Sequence, residues 1–166
     1  MLVILSDPGF YECFDGEILE EIGFGSSQRV IHIKNSLINV NYCETCKFFR
    51  PPRTHHCSKC NKCVEKMDHH CTLLAACVGV RNYKFFVLYL GCLTLHMILN
   101  IAIFTLVIVV VPLKDYRSII SIINVITTAL LLFPVAWMFI SHNLLITYNE
   151  TTFETVIHWI FENIAN

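Results

Sequence analysis

Residues 55 to 71 read HHCSKCNKCVEKMDHHC and hold four cysteines and four histidines within seventeen positions. Thiolates and imidazoles at such density are metal ligands first, and nucleophiles or bases second. From Cys43 the full spacing is C-x2-C-x10-C-x2-C-x2-C-x7-C-x5-C, with His55, His56, His69 and His70 inside it. Seven of the nine cysteines lie between Cys43 and Cys77, at intervals that suit zinc rather than a disulfide scaffold. Cys13 and Cys92 stand apart and read as ordinary free thiols. A closed structural zinc takes four donors, so two sites consume eight of the eleven candidates. Two Cys3His sites satisfy that count, and so does an arrangement using all seven cysteines and one histidine.

Asp68, His69, His70 and Cys71 place a carboxylate, two imidazoles and a thiol consecutively. These are the parts of an activated nucleophile with a base and an orienting acid. Were Cys71 a ligand, the metal would quench its thiolate. Were His70 the ligand instead, the rigid site could hold His69 and Cys71 for chemistry. On these residues alone, a catalytic thiol and a purely structural double zinc module both stay open.

The elements that must position this cluster are apolar. Hydrophobic residues make up 55% of the 166, charged ones 15%, and the mean hydropathy is positive, a balance that suits a membrane protein. Residues 85 to 111 run 27 positions without a formal charge, more than the ~20 that cross a hydrocarbon core. Residues 118 to 145 meet the same criterion, with Pro134 inside as an expected kink. Only PLKDYR, 112 to 117, separates them, so the sequence predicts an α-helical integral membrane protein. Its two-span helical hairpin carries a small, loop-rich two-zinc domain.

Cations crowd residues 47 to 84, from Lys47 and Arg50 to Arg81 and Lys84, and outweigh Lys114 and Arg117 in the short connection. The positive-inside rule then puts both outer ends in the cytosol and the 112–117 turn in the lumen. Thiolate ligands, which need a reducing compartment, say the same. Sugar on Asn149, in the sequon NET, would overturn that orientation. In the first span His96 and Asn100 share a face and predict an interhelical hydrogen bond, with Thr127 and Thr128 as partners. His32, His142 and His158 read as surface or interfacial, and Tyr148 and Trp159 as interfacial aromatics. The N-terminal segment, 1 to 41, carries a DPG turn at 7 to 9 and a short hairpin within 29 to 42 around an Asn-Ser break. No internal repeat is evident.

The stretch YCETCKFFRPPRTHHCSKCNKCVEKMDHHC, followed by CVGVRNYKFF, strongly resembles the cysteine-rich domain of the DHHC protein S-acyltransferases, the palmitoyltransferases. Its TCKxxRPPR lead-in is closest to the Ras-modifying subgroup. The likeness covers residues 42 to 86, and DPG at 7 to 9 and TTFE at 151 to 154 match two flanking family marks. The resemblance implies one zinc on Cys43, Cys46, His56 and Cys63, and a second on Cys57, Cys60, His70 and Cys77. It implies that Cys71 is the nucleophile, His69 its general base and Asp68 the group that orients His69. The donor would be a long-chain acyl-CoA such as palmitoyl-CoA. The acceptors would be membrane-proximal cysteines of substrate proteins at an endoplasmic reticulum or Golgi bilayer, with the 146–166 tail cytosolic and no nucleic acid involved.

Two departures stand out. The family continues DHHC with Pro-Trp and places Asn before the next cysteine, whereas Thr72, Leu73, Leu74, Ala75 and Ala76 stand here. The family also carries two membrane helices ahead of DPG, of which MLVIL could be only the end. The expectation is an incomplete product, rather than a reduced form completed by a partner subunit or self-association. The rival to an acyltransferase is a non-catalytic zinc scaffold binding a partner protein or anionic lipid.

Overall fold

The computed structural model describes residues 2–13, 28–33 and 36–164. The chain forms two compact units, one comprising Met1–Tyr83 with Thr151–Asn166, the other Lys84–Glu150.

The first unit is built from hairpins. Helix α1, Leu2–Leu5, is a single turn leading into the DPG segment. There the Asp7 carboxylate accepts from the N–H groups of Gly9 and Phe10, and Gly9 takes φ +103, which a side chain would resist. Strands β1, Gln28–Ile33, and β2, Ser36–Cys43, pair antiparallel, with Ile33 opposite Ser36. This is the expected hairpin, although its turn residues 34 and 35 lie outside the described residues. β2 then pairs with β3, Phe48–Phe49. Two more antiparallel pairs follow: β4, His55–Cys57, with β5, Lys62–Val64, and β6, His69–Cys71, with β7, Ala76–Val78.

Strands of two or three residues cannot bury an apolar core of ordinary size. The interior here is largely sulfur: Cys57, Val64, Met67 and Cys77 form one buried cluster, and Cys43, Cys46 and Cys63 another. Gly79 is required where β7 leaves the domain, because a Cβ there would stand 2.5 Å from the Pro8 carbonyl oxygen. The fully buried Asn82 accepts from Gly79 N–H and donates to the carbonyls of Cys77 and Val3, closing this exit turn against α1.

The second unit is a pair of long helices, α2, Tyr83–Val110, and α3, Tyr116–Tyr148, each long and apolar enough to cross a membrane. Asp115 caps α3 by accepting from Arg117 N–H, and Ser118 Oγ donates to the carbonyls of Val111 and Pro112, which fixes the short connection. α3 runs on through Pro134 and stops at Asn149, whose φ of 53 forms a left-handed C-cap. Thr128 Oγ1 donates to Asn100 Oδ1 at 3.4 Å, the interhelical bond expected of Asn100. His142 departs from expectation: it is buried, and its ring meets the Phe86 ring edge-on at 5.1 Å. A half-polar aromatic packs well between two helices, which sequence position alone does not reveal.

The 146–166 tail contains a helix that its composition had not suggested. α4, Thr152–Ile164, belongs to the first unit.

Candidate functional site

The hairpins impose a repeat that the sequence reading missed. Cys43, Cys46, His56 and Cys63 recur fourteen residues later as Cys57, Cys60, His70 and Cys77, in identical order and spacing. In both copies the backbone N–H of the second cysteine approaches the sulfur of the first at 3.4 Å. The next residue is left-handed each time, Lys47 at φ 58 and Asn61 at φ 53. Cross-strand registry repeats as well: His56 faces Cys63, and His70 faces Cys77. The β4–β5 hairpin therefore gives its base, His56 and Cys63, to the first group and its tip, Cys57 and Cys60, to the second.

In the first group His56 Nδ1 stands 3.5 Å from Cys43 Sγ, 3.5 Å from Cys46 Sγ and 3.8 Å from Cys63 Sγ. In the second, His70 Nδ1 stands 3.5, 3.4 and 3.5 Å from the sulfurs of Cys57, Cys60 and Cys77. A tetrahedral zinc with bonds of about 2.0–2.3 Å has donor-to-donor edges of roughly 3.5–3.8 Å, so both cages have the right size. All six cysteines of these two groups are free thiols, with no disulfide among them. Burial, reinforced by neighbouring sulfurs, pushes the Cys63 and Cys77 thiols well above their ordinary range. A divalent cation inside the cage relieves that penalty, which is the physical reason these donor sets could hold zinc.

The fourteen-residue rhythm continues into a third copy that is incomplete. Thr54-His55-His56-Cys57 aligns with Asp68-His69-His70-Cys71, and Ala75, left-handed at φ 49, aligns with Asn61. Cys71 thus occupies the first-cysteine position of a third hairpin tip. Its companions are gone: Leu74, Lys84 and Gly91 stand where Cys60, His70 and Cys77 stand for Cys57. Cys71 is half-buried and belongs to neither group of four.

Where the first copy has Thr54, the second has Asp68, and the exchange matters. Asp68 is 1% exposed, and its Oδ2 lies 2.6 Å from His69 Nδ1. Its other oxygen accepts from Thr152 N–H at 2.9 Å. A carboxylate bonded to Nδ1 favours the tautomer that carries its proton on that nitrogen. His55, the counterpart of His69, instead stacks on Phe153 at 3.9 Å; burial, with the nearby Arg50 charge, holds it below the ordinary histidine range.

Thr152 is placed by a reciprocal cap. Thr151 N–H donates to Glu154 Oε2, and Glu154 N–H donates to Thr151 Oγ1, which starts α4. The same carboxylate takes a two-pronged bond from Arg53, at 2.5 and 2.7 Å. Burial alone would raise Glu154, but Arg53 and the Thr151 N–H hold it below its ordinary value. The motif TTFE is thus a helix start clamped to the hairpin domain beside Asp68. The signature Thr-x-x-Glu could have announced that helix from sequence.

The family profile described as DHHC palmitoyltransferase matches residues 37–158. This chain belongs to the DHHC palmitoyltransferase family. The palmitoyltransferase ZDHHC8 of Drosophila melanogaster is 39% identical over 161 residues, covering 93% of this chain and 17% of its own length. The palmitoyltransferase ZDHHC9 of Homo sapiens is 38% identical over 133 residues, 75% of this chain and 36% of its own. The palmitoyltransferase ZDHHC5 of Rattus norvegicus is 34% identical over 154 residues, 90% and 21% respectively. The chain therefore spans well under half the length of these curated DHHC relatives. Similarity to ZDHHC9 is consistent with the subgroup suggested by the TCKxxRPPR lead-in.

Against the family pattern, the departure at 72–76 sits at the tip of the third hairpin. Ala75 N–H closes the turn on the Thr72 carbonyl, and Leu73 is 92% exposed.

Proposed function

We propose that this chain is the membrane-bound core of a protein S-acyltransferase that carries a long-chain acyl group on Cys71. The observation that supports this most is the unfilled third copy: eight donors close two cages, and Cys71 is left as a thiol one residue-pair from an oriented imidazole. Zinc, held by Cys43, Cys46, His56 and Cys63 and by Cys57, Cys60, His70 and Cys77, supplies cross-links that make the hairpins rigid.

In the first transfer, Cys71 gives its proton to His69 Nε2, and the thiolate attacks the carbonyl carbon of an acyl-CoA thioester. The new C–S bond forms as the bond to CoA sulfur breaks, and CoA leaves as a thiol with the proton from His69. In the second, a substrate cysteine gives its proton to His69 and takes the acyl group, and Cys71 recovers its proton as it leaves. Asp68 remains ionised and positions His69, with the same physics as the acid of a hydrolase triad. A chain of about sixteen carbons gains ~0.8 kcal/mol per buried methylene, which favours holding it in the bilayer while the thioester stays at the interface. The acceptors are then cysteines of proteins near the cytosolic face of an endomembrane, and the cations of residues 47–84 suit both that orientation and the phosphates of CoA.

Incubating purified chain in detergent or nanodiscs with an alkyne-tagged palmitoyl-CoA tests the reading. Hydroxylamine-sensitive label should appear and vanish in Cys71→Ser. Label that persists in that variant would remove Cys71 as nucleophile. A second reading, a zinc scaffold without turnover, draws on the exposed Leu73 and on TLLAA at 72–76; zinc-loaded chain that takes no label would favour it.

A further inference from the structure

Cys13 precedes the clustered cysteines by a long stretch of chain, yet the fold returns it to them. From Gly9 onward the N-terminal segment runs beside β5. The Gly9 carbonyl accepts from Glu65 N–H, Phe10 bridges Val64, and Tyr11 N–H donates to the Cys63 carbonyl at 2.9 Å. The Tyr11 ring rests on Phe48 at 5.6 Å, which ties the same segment to β3. Continuing that run, the Cys13 sulfur stands 3.9 Å from the Asn61 carbonyl oxygen and in hydrogen-bond contact with the Cys46 sulfur. Cys46 is a member of the first group of four and is fully buried, whereas Cys13 is exposed. The first group therefore has a fifth sulfur at its side, for which a four-coordinate zinc has no place.

We infer that Cys13 and Cys46 form a redox latch, in which a peroxide joins the two sulfurs as a disulfide and so releases the first zinc. Hydrogen peroxide meets the exposed thiol first: the Cys13 sulfur takes one peroxide oxygen as the O–O bond breaks, giving a sulfenic acid and one water. The Cys46 sulfur then attacks the Cys13 sulfur, the S–S bond forms, and the hydroxyl leaves as a second water. Where Cys46 was a zinc thiolate, solvent supplies that last proton. The sulfurs give up the electron pair that the peroxide takes. Cys43, His56 and Cys63 remain, one donor short of a closed zinc site. His56 and Cys63 are the base of the β4–β5 hairpin whose tip carries Cys57 and Cys60, so release of the first ion also loosens the support of the second. A dithiol reductant reverses the step. This inference rests on the zinc reading of the first group and is independent of acyl transfer.

The test uses the full zinc-loaded chain in detergent, with Cys71→Ser so that the third hairpin consumes no oxidant, followed by native mass spectrometry. Limiting hydrogen peroxide should remove one zinc ion and leave a protein lighter by about 2 Da, the two hydrogens lost to the disulfide. Peptide mapping should place that disulfide between Cys13 and Cys46, and dithiothreitol with added zinc should restore the ion. A further Cys13→Ser exchange should keep both ions under the same exposure. Equal zinc loss with and without Cys13, or a disulfide mapped within the group of four in place of Cys13 to Cys46, would overturn the inference. A chain that starts with both ions and keeps them would do so too. Should Cys13→Ser fail to load zinc, the disulfide map of the chain that retains Cys13 decides alone. A first group empty before any oxidant is added would overturn the zinc reading and the latch together, which separates that failure from failure of the latch alone.

Discussion

Cys57 and Cys71 follow the same two histidines, yet their surroundings differ because of what lies three, thirteen and twenty residues further on. For Cys57 those positions supply Cys60, His70 and Cys77; for Cys71 they supply Leu74, Lys84 and Gly91. Asp68 in place of Thr54 then gives His69 an orienting carboxylate. Asp68→Asn should slow formation of the acyl-enzyme by about 10²-fold in single-turnover assays while zinc content stays at two per chain. Loss of zinc in that variant would assign Asp68 to the fold instead. The left-handed turn residue is a second point of contrast, since Asn61 suits φ 53 and Ala75 at φ 49 does not. Ala75→Gly should stabilise the third hairpin by about 1 kcal/mol, read as a higher melting temperature of the zinc-loaded chain. The eight donors and the Asp68, His69 and Cys71 group could be named from sequence through the family resemblance. Counting donors left the assignment open, because spacing along the chain does not say which hairpin tip meets which base. The repeat that says so was hidden by its overlap: His56 through Cys63 of one copy encloses Cys57 and Cys60 of the next.

At the level of elements, α4 joins the hairpin domain through Arg53 on Glu154, Thr152 N–H on Asp68 and Phe153 against His55. Arg53→Ala removes the two-pronged bond and should free the start of α4, raising amide exchange at residues 151–155 and slowing acylation through the lost Thr152 contact to Asp68. The pH dependence has a definite sign. Glu154 titrates below its ordinary value of 4.5 in the fold, so its contribution is whole above pH 4.5 and is lost as pH falls through the lower, folded value. Protection factors at 151–155, corrected for the intrinsic exchange rate, should therefore be unchanged from pH 7 to about 5 and fall below about 4.5. The long helices were legible because charge-free runs of that length have one outcome in a polypeptide that must satisfy its own backbone. α4 was missed although its Thr-x-x-Glu start was legible, since its apolar residues are interrupted and the same four residues, Thr151 to Glu154, double as a family mark. The buried His142 was missed for a related reason, as its partner Phe86 lies on the other long helix.

Taken whole, the chain couples a hairpin domain whose interior is sulfur to a pair of helices whose surface is apolar. Chelation of both zincs should unfold the hairpins and leave the helices, seen as loss of dispersed backbone amide signals outside residues 84–150 with little change in helical circular dichroism. The account depends on eight donors being occupied while a ninth group, the Cys71 thiol, reacts. Native mass spectrometry of the intact chain after incubation with palmitoyl-CoA measures both at once. The predicted species carries two zinc ions and one hydroxylamine-labile acyl group, which peptide mapping places on Cys71. An acyl group found only on chains that have lost a zinc, or mapped to any of the eight donor residues, would contradict it.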